Sequence, residues 1–200
     1  FGTQTLAALG DSISVTFDVA YVGLDDPENQ AFRYGLGGDA DTTNGFQFYV
    51  VQAANGTATE GQVARDPGND TSQLGGGGQV FLANQNNADP AGSFAIQGTD
   101  VNTVTLTLER ITIDDIDRIN FTTSISVDGA EIASITRDET LNRAGDSQFV
   151  FDTLAIGKGG SGDNYLVDNI VVTSNIAPIP EPGTLALTAF GAAALLRRRR

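Results

Sequence analysis

The residues with the most obvious capacity for chemistry are acids. Ile113-Asp114-Asp115-Ile116-Asp117 places three carboxylates close together. On an extended strand Asp115 and Asp117 would share a face, about 7 Å apart at the backbone. That lies inside the roughly 5–9 Å over which paired carboxylates hydrolyse a sugar bond. The same stretch joins two strongly alternating segments, so it reads as a solvated acidic turn, and no catalytic residue is assigned. A second possibility is calcium, which takes six to eight oxygen ligands from Asp- and Asn-rich loops. Asp163, Asn164 and Asp168 follow a Gly-rich stretch and form one candidate site, and Asp39, Asp41 and Asn44 form another cluster. Neither follows the twelve-residue helix-loop-helix calcium spacing. A structural Ca²⁺ is therefore the one cofactor expectation.

Sugar recognition needs aromatic platforms beside polar groups. The four tyrosines are Tyr21, Tyr34, Tyr49 and Tyr165, and Trp is absent. Tyr34 and Tyr49 read as core residues with a hydroxyl at the core's edge. The missing residue types exclude more. Without Cys there is no disulfide framework, zinc thiolate or thiol nucleophile, and without His the usual serine triad has no base. The formal charge is −14, and four of the eleven bases are Arg197 to Arg200, so the body is more acidic still. Such a chain repels phosphate backbones, and nucleic acid is excluded as a partner.

The elements that must carry these residues alternate with period two. Ile13, Val15, Phe17 and Val19 share one face of 12–19, and 103–108 and 121–127 repeat the pattern. Further strands are expected at 31–36, 45–53, 79–83, 93–97, 131–136, 148–156 and 165–173. Asp128-Gly129 predicts a two-residue type I′ hairpin. Gly157 to Gly162, Gly75 to Gly78 and Asn84 to Asn87 read as loops, and 55–78 as a long surface excursion. Short strands with Gly, Asn and Asp turns predict an all-β, antiparallel two-sheet β-sandwich over residues 1–175.

Composition changes abruptly after that. Residues 176–184 form a Pro-rich linker, Pro178-Ile179-Pro180-Glu181-Pro182-Gly183-Thr184, in which the prolines preclude a helix or central strand. The segment 185–200 is an apolar run ending in Arg197, Arg198, Arg199 and Arg200. The run 185–196 would make a short hydrophobic helix of roughly 18 Å against a hydrocarbon core of about 30 Å. It suits transient membrane insertion, with the arginines kept on the cytoplasmic side and the acidic body outside. The chain opens at Phe1 and holds no Met, so a leader is expected to have been removed or to lie upstream.

The spacer, weak helix and basic stop, with the Pro180-Glu181-Pro182 triplet, resemble the PEP-CTERM sorting domain of exopolysaccharide-producing Gram-negative bacteria. Gly183 before Thr184 is a small departure from the pattern. The resemblance implies export to the cell surface or extracellular matrix, with the tail transiently in the inner membrane and recognised by an exosortase-type membrane protease. The body resembles a concanavalin A-like, laminin-G/lectin-type jelly roll, on the segments Leu9 to Ile13, Val15 to Asp18, Phe32 to Leu36, Thr105 to Arg110, Ser126 to Gly129 and Leu166 to Val172. That fold implies a last strand lying beside an early one. Its relatives include sugar binders, adhesion modules and glycoside hydrolases, and fold alone does not choose among them. The related glucanases carry a Glu-x-Asp-x-x-Glu run that this sequence lacks. The expectation is a non-catalytic exported protein contacting extracellular polysaccharide, with a glycoside hydrolase-like enzyme as the alternative.

Overall fold

The computed structural model describes residues 1–22, 31–38, 47–55, 62–66, 80–84, 94–96, 100–139, 147, 149–159 and 164–177. Among them every regular element is a strand. The first seven are β1 (Gln4–Thr5), β2 (Ser12–Val22), β3 (Ala31–Gly38), β4 (Gln47–Asn55), β5 (Gln62–Asp66), β6 (Val80–Asn84) and β7 (Ala95–Ile96). Then follow β8 (Asn102–Ile113), β9 (Ile116–Val127), β10 (Ala130–Asp138), β11 (Val150–Phe151), β12 (Thr153–Gly159) and β13 (Asn164–Asn175). One sheet runs β10-β9-β8-β2-β13 and a second β12-β3-β4-β5-β6, with β7 joined to β4 and a two-stranded β1-β11 pair beside them. Pairing is antiparallel except for the two-residue β4–β7 contact. The last strand, β13, lies against β2, as the sequence led us to expect.

Local chemistry accounts for the β8-β9-β10 meander. Asp128 and Gly129 both have positive φ, 51° and 78°, which is the type I′ geometry whose twist matches the flanking strands. The acidic stretch makes the same kind of turn. Asp114 and Asp115 have φ of 52° and 60°, and Ile113 pairs with Ile116 across them. Aspartate tolerates this left-handed backbone better than most residues. The carboxylates of 114 and 115 therefore belong to a hairpin tip, and Asp115 does not share a strand face with Asp117.

The two sheets close on one apolar core. The five-stranded sheet supplies Ile13, Val15, Phe17, Val19, Val104, Leu106, Leu108, Phe121 and Ile125, and the other supplies Phe32, Tyr34, Leu36, Tyr49 and Val51. Phe17 meets Phe32 at 5.9 Å and Tyr34 edge-on at 5.4 Å, so aromatic packing ties the layers together. The buried tyrosine hydroxyls are satisfied across the same gap. Tyr34 Oη shares a 2.7 Å hydrogen bond with Thr123 Oγ1, and Tyr49 Oη donates to Glu139 Oε2 at 3.0 Å. Burial pushes the Tyr34 phenol well above its usual range. Both tyrosines thus serve the core, in line with their sequence reading. Gly35 is required by packing, since a Cβ there would stand 2.5 Å from the Tyr49 carbonyl oxygen.

Three expectations change. The excursion over 55–78 contains β5, which pairs with β4 on one side and β6 on the other. Its five residues Gln-Val-Ala-Arg-Asp carry too little apolar character to announce a strand, and two neighbours hold it in place. The strand expected at 148–156 divides around Asp152, with β11 pairing to β1 and β12 to β3. Gly157 to Gly159, read as loop, continues β12 against Arg33, Phe32 and Ala31. The expected C-terminal helix lies outside the described residues, as do Gly75 to Gly78 and the Asp39, Asp41 and Asn44 cluster.

Candidate functional site

The most elaborated polar arrangement lies on the outer face of the five-stranded sheet, where β13 pairs with β2. The run Leu166-Val167-Asp168-Asn169-Ile170-Val171-Val172 would be a continuous apolar strand without its central Asp-Asn pair. Asn169 takes a left-handed backbone, φ 53°, and the register slips between Asp168 and Val171. Such a bulge reverses the phase of the strand. Tyr165 and Val167 pack against the core before it and Val172 and Ile176 after it. Leu166, Ile170 and Val171 are left exposed at 64%, 52% and 53%.

The bulge aims Asn169 at β2. Its Nδ2 donates to Asp18 Oδ2 at 2.7 Å, and Thr103 Oγ1 on β8 donates to Asp18 Oδ1 at 2.8 Å. These two bonds, the Asn169 one first, hold the Asp18 carboxyl below its ordinary range against a small opposing effect of burial. Asp168 stands directly opposite Asp18 in register, and its Oδ1 accepts the Asn169 backbone N–H at 2.8 Å. Beside this corner is an open cleft of about 310 Å³ lined by Asp18, Val19, Ala20, Val101, Leu166, Asp168 and Asn169. The aliphatic side chains of Val101 and Leu166 face carboxylate and amide groups there. That combination suits a small polyhydroxylated group, with CH surface for the aliphatics and hydroxyls for the acids.

The sequence-derived candidates fall as follows. Asp168 lies at this corner. Asn164 begins the same strand four residues earlier, about 13 Å away at the rise of a strand, opposite Val22. Asp163 lies outside the described residues. Among the described residues no three His, Cys, Asp or Glu side chains converge as a metal-holding group. Asp117 is ion-paired with Arg110, whose hydrogen bond is the main cause of a lowered carboxyl pKa. The same guanidinium donates to the carbonyls of Leu6 and Ala7 at 2.8 Å and lies 4.6 Å over the Phe149 ring. This is an arginine clamp on the N-terminal segment. Tyr165 is half-buried against Phe32 at 4.8 Å, and the side chain of Tyr21 is not described.

Two groups escaped sequence reasoning. Asp18 sits on the polar face of an alternating strand and has no sequence neighbour that marks it. Asp11, only 2% exposed, accepts the backbone N–H of Ala177 on Oδ1 at 2.9 Å and that of Ala8 on Oδ2 at 2.7 Å. The Ala177 bond and then the Ala8 bond lower its pKa. Asp11 therefore holds the chain at Ala177, where the Pro-rich linker starts, a contact 166 positions apart that no local pattern encodes.

The linker and apolar tail, including Pro180, Glu181, Pro182 and Arg197 to Arg200, lie outside the described residues. A family model for the PEP-CTERM protein-sorting motif matches residues 178–200, so the chain carries this motif at its C-terminal end, and the motif implies export with that segment as the sorting tail. No curated protein matches the chain. Among solved structures the chain is similar to a double mutant of the alginate lyase Aly36B in complex with an alginate trisaccharide. That similarity has 15% identity and a TM-score of 0.42, and covers 82% of this chain and 71% of the other.

Proposed function

We propose that the chain is an exported, non-catalytic protein, delivered to the cell surface or extracellular matrix of a Gram-negative-type bacterium, where its sandwich contacts polysaccharide. The observation that carries this reading is the sorting motif at 178–200, which begins directly after Ala177, a residue bonded to the body through Asp11. An exosortase-type membrane protease is the partner proposed for the tail. The twelve apolar residues 185–196 are short for a permanent span and suit a temporary one. The body is read as a concanavalin A-like jelly roll, a reading supported by β13 lying beside β2.

The non-catalytic part rests on how the acids are employed. Asp117 neutralises Arg110, Asp114 and Asp115 make a turn, Asp18 is bonded to Asn169 and Thr103, and Asp11 ties two backbone segments. Each of these carboxylates has a structural task, and Asp168, opposite Asp18, accepts the Asn169 backbone N–H.

The test is cell fractionation of the full chain with Pro180, Glu181 and Pro182 replaced by alanine. The variant is expected to stay with the inner membrane while the parent reaches the surface or matrix. Identical distribution of the two proteins would refute the assignment. Incubation of the parent with polysaccharide should release no new reducing ends.

A further inference from the structure

Across the middle of the five-stranded sheet the outward residues are Ser and Thr on nearly every strand, and the register aligns them into two rows. One row, Thr173-Ser14-Thr107-Thr122-Thr136, carries a hydroxyl on every strand. The next, Val171-Thr16-Thr105-Ser124-Ser134, carries one on four of the five. Neighbours within the rows touch, Ser14 with Thr107 at 2.7 Å, Thr16 with Thr105 and Thr122 with Thr136 at 3.2 Å. Adjacent strands lie about 4.8 Å apart and successive outward residues about 6.7 Å apart. The result is a two-dimensional array of hydroxyls with a repeat on the scale of a sugar ring. A hydroxyl offers one donor and two acceptor lone pairs, so each pair keeps capacity for a ligand after bonding its neighbour.

Charge borders the array on both sides. The row beyond it at one end is Asp168-Asp18-Thr103-Ser126-Glu131, and at the other Asn175-Ser12-Glu109-Asn120-Asp138. Neither central row holds a charged side chain. A polyanion laid on them would face carboxylates at both margins of a body that is acidic as a whole. A polycation would be drawn off the central rows to the carboxylates. An uncharged, hydroxyl-rich chain meets neither penalty. The cleft at Asp18, Asp168 and Asn169 adjoins the array, so a chain leaving the rows on that side meets the aliphatic surface of Val101 and Leu166.

We infer that the Ser/Thr rows of the five-stranded sheet are a binding track for a neutral polysaccharide, laid across the strands and bounded by the two acidic rows. This deepens the reading that the body contacts polysaccharide and rests on it. The track grips weakly per sugar, through many hydroxyl contacts and without aromatic stacking, so binding grows with polymer length.

The experiment is co-sedimentation of the purified full chain with an insoluble neutral glucan, with alginate gel as the polyanion. The parent should be retained on the glucan and not on alginate. A variant with Thr105→Val, Thr107→Val and Thr122→Val keeps the β-branched shape and loses three hydroxyls. It should melt like the parent and bind the glucan at least tenfold more weakly. Thr107→Glu, which puts a carboxylate in the middle of the array, should weaken retention as well. If the parent binds glucan and both variants bind equally well, the track is wrong while the polysaccharide reading stands. Retention on alginate alone overturns the charge argument and with it the inference. A parent retained on neither polymer overturns both readings.

Discussion

Strand β4 of the six-stranded sheet and strands β2 and β8 of the five-stranded sheet treat their outward faces in opposite ways. On β4 of the six-stranded sheet both faces are buried, since Phe48 and Val50 are 1% and 2% exposed on one side and Tyr49 and Val51 equally hidden on the other. On β2 and β8 of the five-stranded sheet one face is core and the other is an array of half-buried Ser and Thr. Strands buried twice read as continuous apolar runs, and strands wetted on one side alternate cleanly. The difference divides the labour. Strand β4 commits both faces to stability, whereas β2 and β8 keep a face for something outside the molecule.

Substitutions can break that division. Phe17→Ala removes the ring that joins the sheets at Phe32 and Tyr34 and should cost about 3–5 kcal/mol, measured by denaturant unfolding. Val50→Thr places a hydroxyl on the buried outward face of β4 and should cost about 1–3 kcal/mol, in the same assay. Tyr34→Phe deletes the bond to Thr123 across the core. Thr123 still donates to the Thr105 carbonyl at 2.9 Å, so the loss should be nearer 1 kcal/mol. Thr107→Val, the reciprocal of the β4 change on the wet face, should alter stability by less than about 0.5 kcal/mol. Equal costs for Val50→Thr and Thr107→Val would erase the contrast between β4 and the wet face of the five-stranded sheet.

A pH titration sharpens the same picture from the polar side. Asp11, Asp18 and Asp117 all have folded pKa values below their ordinary 3.8. A group whose folded pKa is lowered contributes stability that is fully present above the unfolded value and is lost as pH falls through the folded one. Melting temperature should therefore hold through mildly acidic buffers and fall once pH drops below about 4. Asp18→Asn should blunt that fall, measured by thermal melts across the acid range.

Much of this architecture was legible in the sequence because period-two alternation states both a strand and its faces. Ile13, Val15, Phe17 and Val19 announced the core side of β2, and Asp128-Gly129 announced the β9–β10 hairpin. Strand β5 was hidden because Gln62 to Asp66 has one strong apolar residue, Val63, and owes its conformation to β4 and β6. Asp114-Asp115 was recognisable as a turn, but its left-handed backbone was not, since Asp-Asp is a less specific signal than Asp-Gly. The corner at Asp18 and Asn169 depends on β13 returning to β2, 151 positions later, with a bulge that re-aims one side chain. Asp11 and Ala177 meet for the same reason. The Ser/Thr rows were present as the polar half of each alternation, and only the register reveals that they line up.

In the proposed function the body is an exported cargo and the tail its removable address. The most direct measurement is the intact mass of the protein recovered from the surface or matrix fraction. It should match a chain that retains the sandwich through Ala177 and has lost most of 178–200. A full-length mass in that fraction, with the four C-terminal arginines still attached, would contradict it.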